Sequence, residues 1–172
     1  MVEWPAAIPP YDAGMKPEQT QALRELLQRQ DVAALGTLHR GEPFVSMVPF
    51  ALLPDGRVVI HVSRLATHTR DMEEHAGVSL LVMDQRSEDV PPQALARATL
   101  QGEARRCATD DPLYAQARQC YLARLPQSED LFGFADFSLF VITPRSVRFV
   151  GGFAQAWSVT GEVYAQAMST VQ

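Results

Sequence analysis

The chain has 172 residues, 47 % of them hydrophobic and 20 % charged, a composition that fits one globular domain and excludes a disordered polymer. A net charge of −5 and a pI near 5.3 disfavour general binding to nucleic acid or to an anionic membrane. Cys107 and Cys120 form neither a disulfide framework nor a zinc motif, so both read as reduced thiols of a cytoplasmic protein.

The opening MVEWPAAIPPYDAG lacks the basic and apolar regions of a secretory signal. No segment reaches the roughly 18 uninterrupted apolar residues of a spanning helix. Residues 1–14 read as an extended arm, with Trp4 and Tyr11 as anchors. Pro17 suits a first helical turn, and Glu18–Gln30 places Leu23, Leu26 and Leu27 on one face. Gly36 and Gly41 interrupt the next stretch. Phe44–Leu53 and Val58–Val62 then flank Pro54-Asp55-Gly56, a strong hairpin signal.

Thr67–His75 is polar with helical spacing and ends near Gly77; Val78–Met83 follows as a strand. After a polar loop over 85–94, Ala98–Cys107 reads as a long strand in which Gly102 marks a bulge or a close backbone approach. Asp111 is the expected N-cap of a helix running to about Arg124, with Pro112 in its first turn and Leu113, Ala117 and Tyr121 on its packed face. Phe137–Ile142 and Ser146–Val150 read as two short strands separated by Thr143-Pro144, and 154–172 as a C-terminal tail. Strands follow strands too closely for repeated βαβ crossovers. The expectation is a single domain over 1–172, mainly β with flanking helices, its antiparallel sheet curling toward a barrel.

The most informative polar run is Ser63-Arg64-Leu65-Ala66-Thr67-His68-Thr69-Arg70, where a strand passes into a helix. Hydroxyls, guanidiniums and helix-start N–H groups are the donors that surround a phosphate, although an ordinary polar junction has the same composition. His61, His68 and His75 are spaced by seven but fall on different elements, so they do not read as a metal site. His39 and His75 read as structural or surface residues, and Asp71, Glu73 and Glu74 as a solvated helix face. Gln101, beside Gly102, can offer an amide to a ligand or simply face solvent; Trp157 reads as a packing anchor. A serine elbow, a His-Glu-x-x-His helix and a dinucleotide-binding glycine loop are all missing from the sequence.

Five segments occur in a familiar order: Ser46-Met47-Val48-Pro49-Phe50, the junction 63–70, Ala98-Thr99-Leu100-Gln101-Gly102, Gly133-Phe134-Ala135-Asp136-Phe137, and Val147-Arg148-Phe149-Val150-Gly151-Gly152-Phe153. Together they resemble the haem-utilisation, HugZ/HutZ-like branch of the pyridoxamine 5'-phosphate oxidase-like split barrels. The resemblance implies an FMN-binding split barrel that forms a homodimer with a ligand cleft at each end of the interface. Ser46 and Val48 would border the flavin ring through main-chain groups, and Ser63, Arg64, Thr67, His68 and Thr69 would surround the ribityl phosphate. Gln101 would reach the ring, while Gly151, Gly152 and Phe153 would let the last strand approach the cleft. The expected function is that of an FMN-dependent oxidoreductase. A haem-binding or haem-degrading protein and a non-catalytic dimer are the alternatives. Haem-degrading relatives use a C-terminal histidine on the iron, but this chain has no histidine after His75; its tail offers Trp157, Tyr164 and Met168 instead.

Overall fold

The computed structural model describes residues 14–151 and 156–169. Pro17 opens helix α1 (Pro17–Arg29), where its missing N–H costs no intrahelical bond. Leu23, Leu26 and Leu27 are buried on the α1 face that meets the sheet. Strands β1 (Val32–His39) and β2 (Glu42–Pro49) form a hairpin closed by Arg40 and Gly41, both with positive φ (53° and 84°). Strands β3 (Ala51–Leu52) and β4 (Val58–Ser63) flank the expected Asp-Gly turn, with Gly56 at φ 82°.

Helix α2 (Thr67–Glu74) leads to β5 (Gly77–Met83) and then to β6 (Arg97–Cys107). Helix α3 (Tyr114–Arg124) precedes a 3-10 segment at Pro126–Gly133. The remaining elements are β7 (Phe137–Val150), β8 (Ala156–Thr160) and α4 (Gly161–Ser169).

Among the described residues eight strands pair in the order β2-β1-β5-β6-β7-β4-β3, with β8 also on β7, and every one of these pairings is antiparallel. The sheet curls into a half-barrel, the split-barrel fold. One core fills the concave side, built from Leu35, Ile60, Leu80, Leu100 and Phe140, with α1 and Tyr164 of α4 packed into it. A smaller core lies outside β4, where Val59, Leu139 and Val141 meet Ala117 and Tyr121 of α3. Strand β4 is therefore buried on both faces, as its run of Val58, Val59, Ile60 and Val62 on alternating sides requires.

Three expectations change. Thr143-Pro144 does not divide two strands, because β7 runs unbroken through it. The register steps from Gln101–Ser146 to Gly102–Pro144, so Arg145 is the extra residue and the proline sits beside a bulge in β7. A Cβ on Gly102 would lie 2.3 Å from the Thr143 carbonyl oxygen, which is why glycine is required there. Second, helix α3 begins at Tyr114; Asp111 shapes the turn before it by accepting the Leu113 N–H at 2.9 Å. Third, residues 156–169 are a strand and a helix joined to the body, with Tyr164 donating a hydrogen bond to the Gly56 carbonyl at 2.8 Å. Among the described residues no helix is long and apolar enough to cross a membrane.

Candidate functional site

The junction between β4 and α2 is a latch built on its own hydroxyls. Ser63 Oγ donates to Asp136 Oδ2 at 2.6 Å and accepts the Leu65 N–H at 3.1 Å. The Arg64 N–H donates to the Asp136 carbonyl at 2.7 Å. Thr69 is fully buried, and its Oγ1 donates to the Ser63 carbonyl at 2.7 Å. Ser63 and Thr69 thus spend their hydroxyls inside the protein, beside the Asp136 carboxylate that would repel a phosphate. Arg64 is exposed, with one long contact of 3.5 Å to the Ala135 carbonyl, and Thr67 is half-buried.

A second polar cluster lies beside this latch, between α2 and the hairpin β1–β2. His68 and Asp71 are three residues apart on α2 and share the face turned to the sheet. Thr37 and His39 alternate onto the facing side of β1, and Ser46 is presented by β2. Thr37 Oγ1 donates to Asp71 Oδ2 at 2.8 Å, and His39 Nδ1 lies 2.8 Å from Asp71 Oδ1. His68 Nδ1 is 3.0 Å from Ser46 Oγ.

Asp71 is 2 % exposed. Burial works to raise its pKa, but the hydrogen bonds from His39 and Thr37 and the charges of His39 and His68 outweigh burial and hold it below the ordinary value. Burial lowers the pKa of His68, and Asp71 opposes that shift. Asp71 is thus no part of a solvated face, and His39 is no isolated surface histidine. The sequence held a signal for this: helical spacing puts Asp71 in register with His68 and beside the apolar Met72.

The other expected site residues do not converge here. Val48 is 1 % exposed, with its side chain in the concave core. Gln101 lies across the ladder from Ser79, which pairs with Gly36, which pairs with Val45. It therefore occupies the outer sheet face, whereas Ser46 lies across from the buried Leu35 on the inner face. The Gln101 amide oxygen instead accepts from Ser146 Oγ at 3.3 Å. Gly151 is half-buried at the end of β7; Gly152 and Phe153 lie outside the described residues.

Trp157 is the expected anchor, stacked on Phe149 with ring centroids 5.1 Å apart. Burial of Tyr164 pushes its phenol pKa far up, and Met168 packs against the core. His61 is buried under Phe132, ring centroids 3.9 Å apart, with Nδ1 lacking a hydrogen-bond partner. Among the described residues no group of three or more His, Cys, Asp or Glu side chains is arranged to hold a metal ion.

The sequence profile of the pyridoxamine 5'-phosphate oxidase family matches residues 19–151. The chain is 30 % identical over 158 residues to heme oxygenase HutZ of Vibrio cholerae, covering 88 % of this chain and 89 % of that protein. The chain belongs to this family, in its haem-utilisation branch. It is also 37 % identical over 124 residues to the chloroplastic heme oxygenase HOZ of Arabidopsis thaliana, spanning 72 % of this chain but only 36 % of that relative. A heme binding protein from Mycobacterium smegmatis superposes with a TM-score of 0.79 at 33 % identity, covering 88 % of this chain and 62 % of that one.

These relatives overturn the flavin expectation. They are named as heme oxygenases or as heme binding, so FMN as cofactor and an FMN-dependent oxidoreductase as function are both corrected. The latch supplies the physical reason that the phosphate argument failed: three of its four hydroxyl and imidazole donors, Ser63, His68 and Thr69, already have partners within the chain.

Proposed function

We propose that this chain binds haem and serves a haem-degrading, oxygenase-type reaction as a homodimer. The observation that carries this reading is the end-to-end similarity to HutZ, 30 % identity across 89 % of that protein. The residues present fit the group. Edge strand β2 exposes Phe44 to a large apolar ring system on the same sheet face as Ser46, and His39 and His68 bring imidazoles beside it. Arg64 and Arg70, exposed around the start of α2, suit the two propionate carboxylates. Bound haem supplies iron and oxygen chemistry that side chains alone lack.

The protein's share is to bind, orient and exclude water. Burial keeps His68 predominantly neutral near pH 7, so its ring can exchange a hydrogen bond with the Ser46 hydroxyl without carrying a charge. Homodimerisation is supported by the outer face of β1, β2 and β5. Val32, Leu38, Val45, Met47, Leu81 and Met83 stand there 37–68 % exposed, an apolar area that a second copy would cover. The test is aerobic incubation of the haem-loaded protein with a chemical reductant. Progressive loss of the haem absorption band with appearance of an open-chain tetrapyrrole supports the reading; haem that persists unchanged contradicts the oxygenase role.

A further inference from the structure

Resting on the haem reading above, the geometry points to His39 as the residue that ligates the haem iron, with Asp71 as the positioning residue that orients its ring. The pair has the form of a histidine prepared for a metal. A carboxylate only accepts, so at 2.8 Å the Nδ1 of His39 carries the hydrogen and Nε2 is the nitrogen left to meet a metal. The imidazole is 41 % exposed while the carboxylate behind it is 2 % exposed, so an accessible ring rests on a buried base. Thr37 occupies the other Asp71 oxygen at 2.8 Å, which fixes the carboxylate's orientation. Phe44 stands beside the ring at a centroid distance of 5.8 Å and is itself 36 % exposed, giving the ligand an apolar wall.

Several of the other described donors are engaged or inaccessible. His61 is 6 % exposed under Phe132, and Cys107 is 2 % exposed. Tyr164 is 1 % exposed and donates its hydroxyl hydrogen to Gly56. Nδ1 of His68 faces a serine hydroxyl, which polarises an imidazole far less than a carboxylate does.

The experiment uses the full chain loaded with hemin as wild type, His39→Ala, His39→Gln, Asp71→Asn and, as a control, His75→Ala. Circular dichroism confirms the fold of each. The readouts are the ferric electron paramagnetic resonance spectrum, the iron–histidine stretch of the ferrous form and the reduction potential. Both His39 variants should lose the iron–histidine stretch and at least about 10-fold in hemin affinity, and added imidazole should restore the ferric spectrum of His39→Ala. Asp71→Asn should keep the ligand but lower the stretching frequency and raise the potential, because the imidazole donates less strongly. A brace with only structural importance would move none of these signals in the folded variants. An iron–histidine stretch that survives in both His39 variants overturns the assignment while leaving the haem reading intact. Wild type that takes up no hemin overturns both.

Discussion

Protonating His61 should destabilise the fold by an amount that can be read from its surroundings. The imidazole lies between β4 and the 3-10 segment, stacked on Phe132, edge-on to Tyr121 and 6 % exposed. Desolvation lowers its pKa from 6.5 to about 4. The folded state therefore resists a proton that the unfolded chain accepts, and stability is lost as pH falls from 6.5 toward 4. Each pH unit inside that window costs about 1.4 kcal/mol, so lowering pH from 7.5 to 5.0 should remove about 2 kcal/mol through this one group. Urea unfolding of the apo-protein at the two pH values measures the loss. His61→Phe, which keeps a planar ring against Phe132, and His61→Leu should each lose about 2 kcal/mol less than wild type over the same interval. Equal losses in wild type and both variants would refute the reasoning and place the acid sensitivity elsewhere.

Thr69→Val should cost about 1 kcal/mol of stability by removing one of the two hydrogen bonds to the Ser63 carbonyl, which keeps the Ala66 N–H at 3.1 Å, visible in the same unfolding experiment. Gly102→Ala should cost about 3 kcal/mol, since the added Cβ meets Thr143 backbone that cannot move without breaking the bulge. Tyr164→Phe removes the donor to the Gly56 carbonyl and should lower stability by about 1–2 kcal/mol, with faster amide exchange in the Pro54–Gly56 turn. A charge on the outer sheet face, Met47→Asp, should convert a dimer to a folded monomer in sedimentation; an unchanged dimer would move the interface to another face.

Where structure follows local rules, the sequence was a sufficient guide. Leu23, Leu26 and Leu27 identified the buried face of α1, Asp55-Gly56 marked the hairpin, and Gly102 announced its bulge. Thr143-Pro144 misled because a proline normally ends a strand; the bulge at Arg145, opposite Gln101 and Gly102, leaves room for it within β7. Asp71 was hidden for a different reason. A carboxylate in a polar helix reads as solvated until its partners are known, and Thr37 and His39 lie 34 and 32 residues away in the chain.

The junction 63–70 was recognised as special, but its chemistry was not. Asp136, which takes the Ser63 hydroxyl, is 73 residues distant, so the sequence did not reveal that the donors were already partnered. The fold itself did not discriminate between flavin and haem, because one scaffold carries both and the difference lies in its side chains.

The most direct test of haem binding is titration of hemin into the purified apo-protein, followed by absorbance and by sedimentation of the product. The account predicts a saturable Soret band carried by a dimer, with excess FMN failing to displace it. Hemin that remains free in solution at protein concentrations of about 10 μM, far above the dissociation constants typical of specific small-ligand sites, would contradict it.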